Sequence, residues 1–238
     1  MPSPRLYWEN DGGLEFEAVV LSVTESAIQL SASGFFPGGG GQPPDRGELH
    51  LPDGRVIAIS HASRGEGDAC WHHTESPPPG DLIGCSVSGK VDAGYRTALS
   101  RPHTALHILN AIALRDHGGW ITGCQIGTEI SRIDFKVETP LTSLAADLEA
   151  KTRAVIEAAL EVSSRFVPEA EFGDDFVRTL EARPPVIAGQ VRVIDIAGFD
   201  SQACGGTHAS NTAELGRLSV VRTENKGRIN KRLYIRLG

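Results

Sequence analysis

The sequence has no run of about 18 apolar residues, so no membrane-spanning helix is expected. Its first residues also lack the basic stretch and apolar segment of a secretory signal. These two absences predict a cytoplasmic protein with no membrane partner. Cysteine is scarce, with four residues and no Cys-x-x-Cys pair, and a reducing compartment disfavours disulfides.

The charge distribution is uneven along the chain. The net charge is -7 over 238 residues, which argues against a non-specific nucleic-acid binder. From Arg217 onward the balance reverses, because Glu224 is the single acid among the cations Arg217, Arg222, Lys226, Arg228, Lys231, Arg232 and Arg236. This basic tail is either the solvated face of an edge strand or a surface that contacts phosphates.

Residues 1–91 show no helical periodicity and predict a small β-barrel-like domain. Residues 16–23 are rich in β-formers, and residues 87–91 predict a further strand. Residues 47–51 and 55–59 flank Pro52-Asp53-Gly54, which predicts a hairpin. A chain of this length suits two modest domains.

Residues 92–238 predict a second domain, of α+β type, with helices on a mainly antiparallel sheet. Apolar residues at helical spacing predict helices over 102–117, with Pro102 in the first turn, and over 141–162. The remaining pattern predicts strands over 130–137, 165–171, 191–196, 215–221 and 229–237. The fold class of the whole chain is therefore predicted as α+β.

A glycine-rich segment, residues 34–45, interrupts the first domain. Four consecutive glycines, Gly38 to Gly41, let the backbone take positive φ values and approach another surface closely. A flexible linker is the alternative, but linkers rarely carry two aromatic residues and a glutamine at their ends.

Two pairs of residues in the second domain have the chemistry of metal ligands. His103 and His107 lie four apart on a predicted helix, so both imidazoles share one face. Cys204 and His208 bracket two glycines, which predict a tight loop that turns both side chains toward one point. Together they predict a Zn²⁺ site that joins a helix to a loop about a hundred residues away, unlike a zinc finger. The chain lacks the Glu that follows the first His in metalloproteases, and it lacks the zinc deaminase motifs.

Three segments resemble the editing domain of alanyl-tRNA synthetases and the freestanding AlaX editing proteins in their medium-length form. They are Arg101-Pro102-His103-Thr104-Ala105-Leu106-His107, the glycine-rich run that ends in Gly40-Gly41-Gln42, and Cys204-Gly205-Gly206-Thr207-His208. They occur in the family's order and span nearly the whole chain. The chain is too short for a synthetase, so a freestanding protein is expected.

The resemblance implies an aminoacyl-tRNA hydrolase that removes serine, and in some members glycine, from tRNA(Ala). A pocket for a small amino acid discriminates poorly by size, which explains the need for a second hydrolytic site. The resemblance implies zinc ligands at His103, His107, Cys204 and His208. Four protein ligands close a tetrahedral site, so His208 is predicted as the loose ligand with a catalytic role.

The other site residues are assigned partly from the resemblance and partly from their own chemistry and position. The family's glycine-rich loop implies that Gln42 reaches the site as a second catalytic residue. Ser33 stands where the family usually has Thr, a hydroxyl associated with recognition of serine. Gly40 and Gly41 are predicted to bind substrate through backbone N–H groups. Asp200 is predicted to orient a ligand or bind the substrate's amino group.

Two other functions stay open at this point. One is a zinc hydrolase that acts on a different ester, which the acidic average favours slightly. The other is a non-catalytic protein with a structural zinc that binds tRNA or protein, which the loop with Gln42 disfavours. His72, His73 and His117 are expected to be ordinary surface residues.

Overall fold

The computed structural model describes residues 4–9, 13–179 and 184–238. The chain divides into two compact units. The first contains the described residues up to 39 together with 43–97, and the second contains 40–42 and the described residues from 98 onward.

A closed antiparallel barrel forms the first unit, as predicted. Its strand order is β1-β2-β5-β4-β3-β6, with bounds β1 Glu15–Val23, β2 Ala27–Leu30, β3 Gly47–His50, β4 Val56–Arg64, β5 Cys70–Thr74 and β6 Ser86–Val91. Along β1, Phe16, Ala18 and Val20 are buried and alternate with exposed residues, so one face of the strand supplies the barrel core. The predicted hairpin is β3 and β4, which pair antiparallel.

A buried ion pair fixes the start of the glycine-rich segment within the first unit. Arg96 and Asp45 form it, with Arg96 Nε at 3.0 and 2.9 Å from the two carboxylate oxygens. Arg96 Nη2 also donates to the carbonyl oxygen of Gly34 at 2.7 Å, and Asp45 Oδ2 accepts from the Phe36 N–H at 2.7 Å. Because the buried charge is both paired and hydrogen-bonded, residues 34–36 are held in one conformation.

The first helix, α1 (Ala93–His117), is longer than predicted. The predicted start at Pro102 was wrong, because Pro102 lies inside the helix. Asp92 marks the true start, since its Oδ1 accepts from the Tyr95 N–H at 2.9 Å. An Asp before the first turn is a standard N-cap, so a sequence signal for this start was present.

The second helix, α2 (Leu141–Glu157), is shorter than predicted. Ala159 takes a φ of 50°, which ends helical geometry, and Val162 already belongs to the next strand, so the predicted end at 162 was wrong. Leu144 and Leu148 are fully buried on the apolar face of α2. Neither helix in the described parts of the chain is long and apolar enough to cross a membrane.

Two antiparallel sheets accompany the helices in the second unit, which confirms the α+β class. One has the order β11-β10-β9 and the other β12-β13-β8-β7, with bounds β7 Trp120–Gln125, β8 Ser131–Lys136, β9 Val162–Pro168, β10 Gln190–Ile196, β11 Asp200–Ala203, β12 Leu218–Asn225 and β13 Asn230–Leu237. The sequence pattern had not indicated β7 or β11. Both are short strands of mixed polarity with weak alternation.

Candidate metal centre

Four side chains of the second unit bring their ligand atoms together, as the sequence predicted. His103 and His107 come from α1, one turn apart, and Cys204 and His208 come from the loop after β11. Their ligand atoms all lie within 4.8 Å of one another. Cys204 Sγ is 3.4 Å from His103 Nε2 and 3.5 Å from His208 Nε2. The group can therefore share one metal ion.

The chemistry of these donors fits zinc. Zn–N bonds near 2.1 Å and Zn–S bonds near 2.3 Å place the donors of a tetrahedral site about 3.5 Å apart. One thiolate with three imidazoles suits zinc better than the hard cations magnesium or calcium. Burial lowers the pKa of His103 to about 3, with Arg192 adding to the effect, and burial also lowers the pKa of His107 and His208. Neutral imidazoles are the form that binds metal.

Cys204 differs from the histidines in its ionisation. Burial raises the pKa of its thiol, although the Gly206 N–H, at 3.4 Å from Sγ, opposes the shift. A bound cation would favour the thiolate, so metal binding here would release a proton.

Gln42 is hydrogen-bonded to one ligand and to the loop that carries two others. Its Oε1 is 2.8 Å from His103 Nδ1 and accepts from the Thr207 N–H at 3.1 Å, while its Nε2 donates to Thr207 Oγ1 at 2.8 Å. Because the Thr207 N–H must meet the amide oxygen, His103 Nδ1 must carry a proton and donate. The lone pair of His103 is therefore on Nε2, the atom that faces Cys204.

Arg192 and Gly206 shape the loop of Cys204 and His208. Arg192 Nη1 donates to the carbonyl oxygens of Cys204 at 3.1 Å and Gly206 at 2.8 Å. A Cβ at Gly206 would lie 2.3 Å from His103 Cε1, so only glycine fits at this position. The loop can approach α1 closely because this residue has no side chain.

Residues 40–42 of the glycine-rich segment are anchored within the second unit. The carbonyl oxygen of Gly40 accepts from Cys124 Sγ at 3.2 Å, and that of Gly41 accepts from the Ile126 N–H at 2.8 Å. Gly41 has a φ of 83°, and a Cβ there would lie 2.7 Å from Cys124 Sγ. The close approach explains why residue 41 is glycine, and the hydrogen bonds show that residues 40–41 are held in place and are not part of a flexible linker.

Asp200 is connected to the centre through the side chain of Gln202. Its carboxylate accepts from Arg178 Nη2 at 2.7 Å and from Gln202 Nε2, and Gln202 Nε2 also donates to the carbonyl oxygen of His107 at 2.8 Å. The chain of contacts reaches the backbone of a ligand, and the charge of Asp200 is compensated by Arg178.

Ser33 lies in the first unit and is 1% exposed. Its Oγ is 2.8 Å from His72 Nε2 and accepts from the Phe35 N–H at 3.1 Å. The expected surface position of His72 was wrong, because it is fully buried, with Nδ1 3.0 Å from the carbonyl oxygen of Ile28. Burial lowers the pKa of His72 to about 4, so a neutral His72 accepts from the Ser33 hydroxyl.

Several residues that complete the centre carried no assignment from the sequence. They are Arg192 and Thr207, together with Ser100, whose Oγ is 2.7 Å from Thr207 Oγ1, and Thr104, whose Oγ1 is 3.1 Å from His208 Nδ1. Thr104 and Thr207 lie inside the two ligand motifs, which was a usable signal. Arg192 lies on β10, and its role depends on tertiary contacts that no local pattern reveals.

Comparison with known proteins agrees with this geometry. Residues 191–234, which include Cys204 and His208, match the family described as the threonyl and alanyl tRNA synthetase second additional domain. The chain is 34% identical to the alanyl-tRNA editing protein AlaX-M of Saccharolobus solfataricus over 233 residues, which is 97% of each chain. The chain belongs to this family of alanyl-tRNA editing proteins.

Other relatives support the same membership. AlaX-M of Methanosarcina mazei is 33% identical over 94% of this chain and 92% of its own length. The alanine–tRNA ligase of Thermofilum pendens is 35% identical over 92% of this chain but only 24% of its own length. Membership in the family confirms the predicted resemblance and the prediction of an aminoacyl-tRNA hydrolase.

Proposed function

We propose that this protein hydrolyses the ester bond that joins serine, and also glycine, to tRNA(Ala). We propose that it uses one zinc ion to do so. The observation that carries the proposal is the contact of Gln42 with His103 and Thr207. This contact joins residue 42 of the glycine-rich segment to the four-residue metal centre in the second unit. Over nearly its whole length the chain is also 33–34% identical to relatives named as alanyl-tRNA editing proteins.

Zinc, when bound, supplies Lewis-acid polarisation of a carbonyl or of a water molecule. The chain's own residues have separate roles. His103, His107, Cys204 and His208 hold the ion, and Gln42 holds His103 in the tautomer that leaves Nε2 free. Gln42 is therefore a positioning residue in this proposal, because its polar atoms are engaged with His103 and Thr207.

The N–H groups of Gly40 and Gly41 are the proposed donors to the oxyanion that develops during ester hydrolysis. In the described parts of the chain neither N–H has an acceptor, whereas both carbonyl oxygens are engaged. Both residues are exposed and directly precede Gln42 in sequence. Substrate can therefore reach these donors without breaking existing hydrogen bonds.

The basic tail is proposed to contact the phosphates of tRNA. Four of its cations have partners within the protein, and two of these, Arg222 and Lys226, are exposed side chains that pair with Glu224 at 3.0 and 3.9 Å. Lys231 is 7% exposed and donates to Asn225 and to the Arg228 carbonyl oxygen, while Arg232 pairs with Asp134 at 2.6 and 2.8 Å. Five cations stay exposed for phosphate contact: Arg217, Arg222, Lys226, Arg228 and Arg236.

A deacylation panel tests the proposed function. The protein is incubated with Ser-tRNA(Ala), Gly-tRNA(Ala) and Ala-tRNA(Ala), and the remaining ester is measured over time. Hydrolysis of the serine and glycine esters with Ala-tRNA(Ala) spared is the expected result. The Cys204→Ala variant should lose this activity, and the Cys85→Ala variant should keep it.

The same panel separates the two competing functions. A protein that spares all three tRNA esters but hydrolyses a small-molecule ester is a hydrolase of another class. A protein that binds metal and tRNA but hydrolyses none of these substrates is non-catalytic. Either result would contradict the proposed function.

A further inference from the structure

Thr104, like Gln42, lies within hydrogen-bond distance of the ring nitrogen of a proposed metal-ligand histidine that does not face the metal. It lies on α1 between His103 and His107 and is fully buried. Its Oγ1 lies 3.1 Å from His208 Nδ1, on a segment 104 residues away in sequence. The sequence motif contains this threonine but gives no reason for a hydroxyl at this position.

The hydrogen bonds of the Thr104 hydroxyl determine which atom donates. Oγ1 lies 3.1 Å from the carbonyl oxygen of Ser100, which can only accept, so the single hydroxyl proton is directed there. Oγ1 also accepts from the Ala209 N–H at 3.1 Å. One lone pair remains, and it faces His208. The His208 ring must therefore donate from Nδ1.

The consequence is the tautomer of His208. With the proton on Nδ1, the lone pair is on Nε2, which faces Cys204 Sγ at 3.5 Å. The opposite tautomer would place a proton on the atom that must bind the metal. Ligand histidines in metalloproteins commonly donate their second ring N–H in this way.

The three histidines then differ in how firmly they are held. Gln42 holds His103 and Thr104 holds His208, whereas the described residues offer the His107 ring no hydrogen-bond acceptor. His107 is held by packing on α1, where it is 7% exposed. The expected loose ligand, His208, is thus one of the two anchored ones.

We propose that Thr104 is a positioning residue of the metal centre, which fixes His208 in the Nδ1–H tautomer and leaves His107 as the least restrained ligand. This inference rests on the proposed metal centre. Its spectroscopic readout uses the metal-free protein, so its failure can be distinguished from a failure of the proposed function.

The test compares Thr104→Val, which removes the hydroxyl at nearly constant shape, with Thr104→Ser, which keeps it. Nitrogen-15 NMR of the histidine rings at pH 8 reports the tautomer of His208 in the metal-free protein. The wild type and Thr104→Ser should show the Nδ1–H form, and Thr104→Val should show a mixture with the Nε2–H form. Thr97→Val, at an exposed position on the same helix, is the matched control.

Zinc affinity, measured by competition with a chelator, is the second readout. Thr104→Val should bind zinc roughly 10- to 100-fold more weakly than the wild type, which is the usual effect of losing a residue that hydrogen-bonds to a metal ligand. The zinc affinity of Thr104→Ser should stay close to that of the wild type. An Nε2–H tautomer for His208 in the wild-type protein would overturn the proposal without any substitution. A Thr104→Val variant with unchanged tautomer and affinity would also overturn it.

Discussion

Replacement of Gln42 by methionine should weaken metal binding without removing any ligand. Methionine has nearly the shape of glutamine but neither the amide oxygen nor the amide N–H. In the variant, His103 Nδ1–H and the Thr207 N–H lose their shared acceptor, and both residues are at most 5% exposed. A buried donor without a partner costs about 1–3 kcal/mol.

Part of that free energy should appear as a loss of zinc affinity, because a His103 ring without its acceptor can rotate or change tautomer. Loss of such a contact typically weakens binding about 10- to 100-fold, or about 1.4–2.8 kcal/mol. The rest should appear as a lower melting temperature of the metal-free protein. Chelator competition measures the first quantity, and thermal unfolding followed by circular dichroism measures the second.

Two further variants serve as controls for this experiment. Gln42→Glu keeps an oxygen acceptor for His103 and should bind zinc more tightly than Gln42→Met. Gln125→Met makes the same chemical change at an exposed position on β7 and should change neither quantity. If Gln42→Met binds zinc within twofold of the wild type and melts at the same temperature, the reasoning about Gln42 is refuted.

Three further predictions concern the loop, the barrel and the basic tail. Gly206→Ala should reduce zinc affinity more than tenfold, because the added Cβ would lie 2.3 Å from His103 Cε1, whereas Gly80→Ala, which meets no atom within 4 Å, should leave chelator competition unchanged. The pKa of buried His72 is lowered from 6.5 to about 4, so the unfolded chain binds the extra proton and stability should fall as pH decreases from 6.5 to 4, by up to about 3 kcal/mol. In denaturant unfolding across that pH range, the free energy of unfolding should depend less on pH for His72→Gln than for the wild type. If the two proteins show the same pH dependence, His72 is not a buried neutral ring. Replacing Lys226 and Arg228 with Gln should weaken tRNA binding and reduce its salt dependence by about one unit of log–log slope per lost phosphate contact, with Lys151→Gln as the control. An unchanged slope in a filter-binding titration would exclude this surface.

The four ligands were accessible from the sequence because both pairs are local patterns. Two histidines four residues apart on a helix lie on the same face. A Cys and a His on either side of two glycines can turn toward one point in a tight loop. The anchors of those ligands were not accessible in the same way. Thr104 and Thr207 act across more than a hundred residues of chain, and Arg192 donates to backbone carbonyl oxygens of the distant loop.

In the fold, too, features with a local sequence signal were predicted, and features that depend on tertiary contacts were missed. The β3–β4 hairpin was predicted because its turn has a strong local signature. The start of α1 was missed because Pro102 looked like a first-turn residue, although the helix accommodates it in its interior and Asp92 caps the true start. His72 was expected at the surface because a polar residue on a strand says nothing about a buried partner such as Ser33.

Reversible removal of the metal tests the central claim most directly. The protein is stripped with a chelator, its fold is checked by circular dichroism, and Ser-tRNA(Ala) deacylation is measured before and after zinc is returned. We predict one zinc ion per chain, loss of deacylation on stripping, and recovery when one equivalent of zinc is added. A folded, metal-free protein that deacylates Ser-tRNA(Ala) at the original rate would contradict the account.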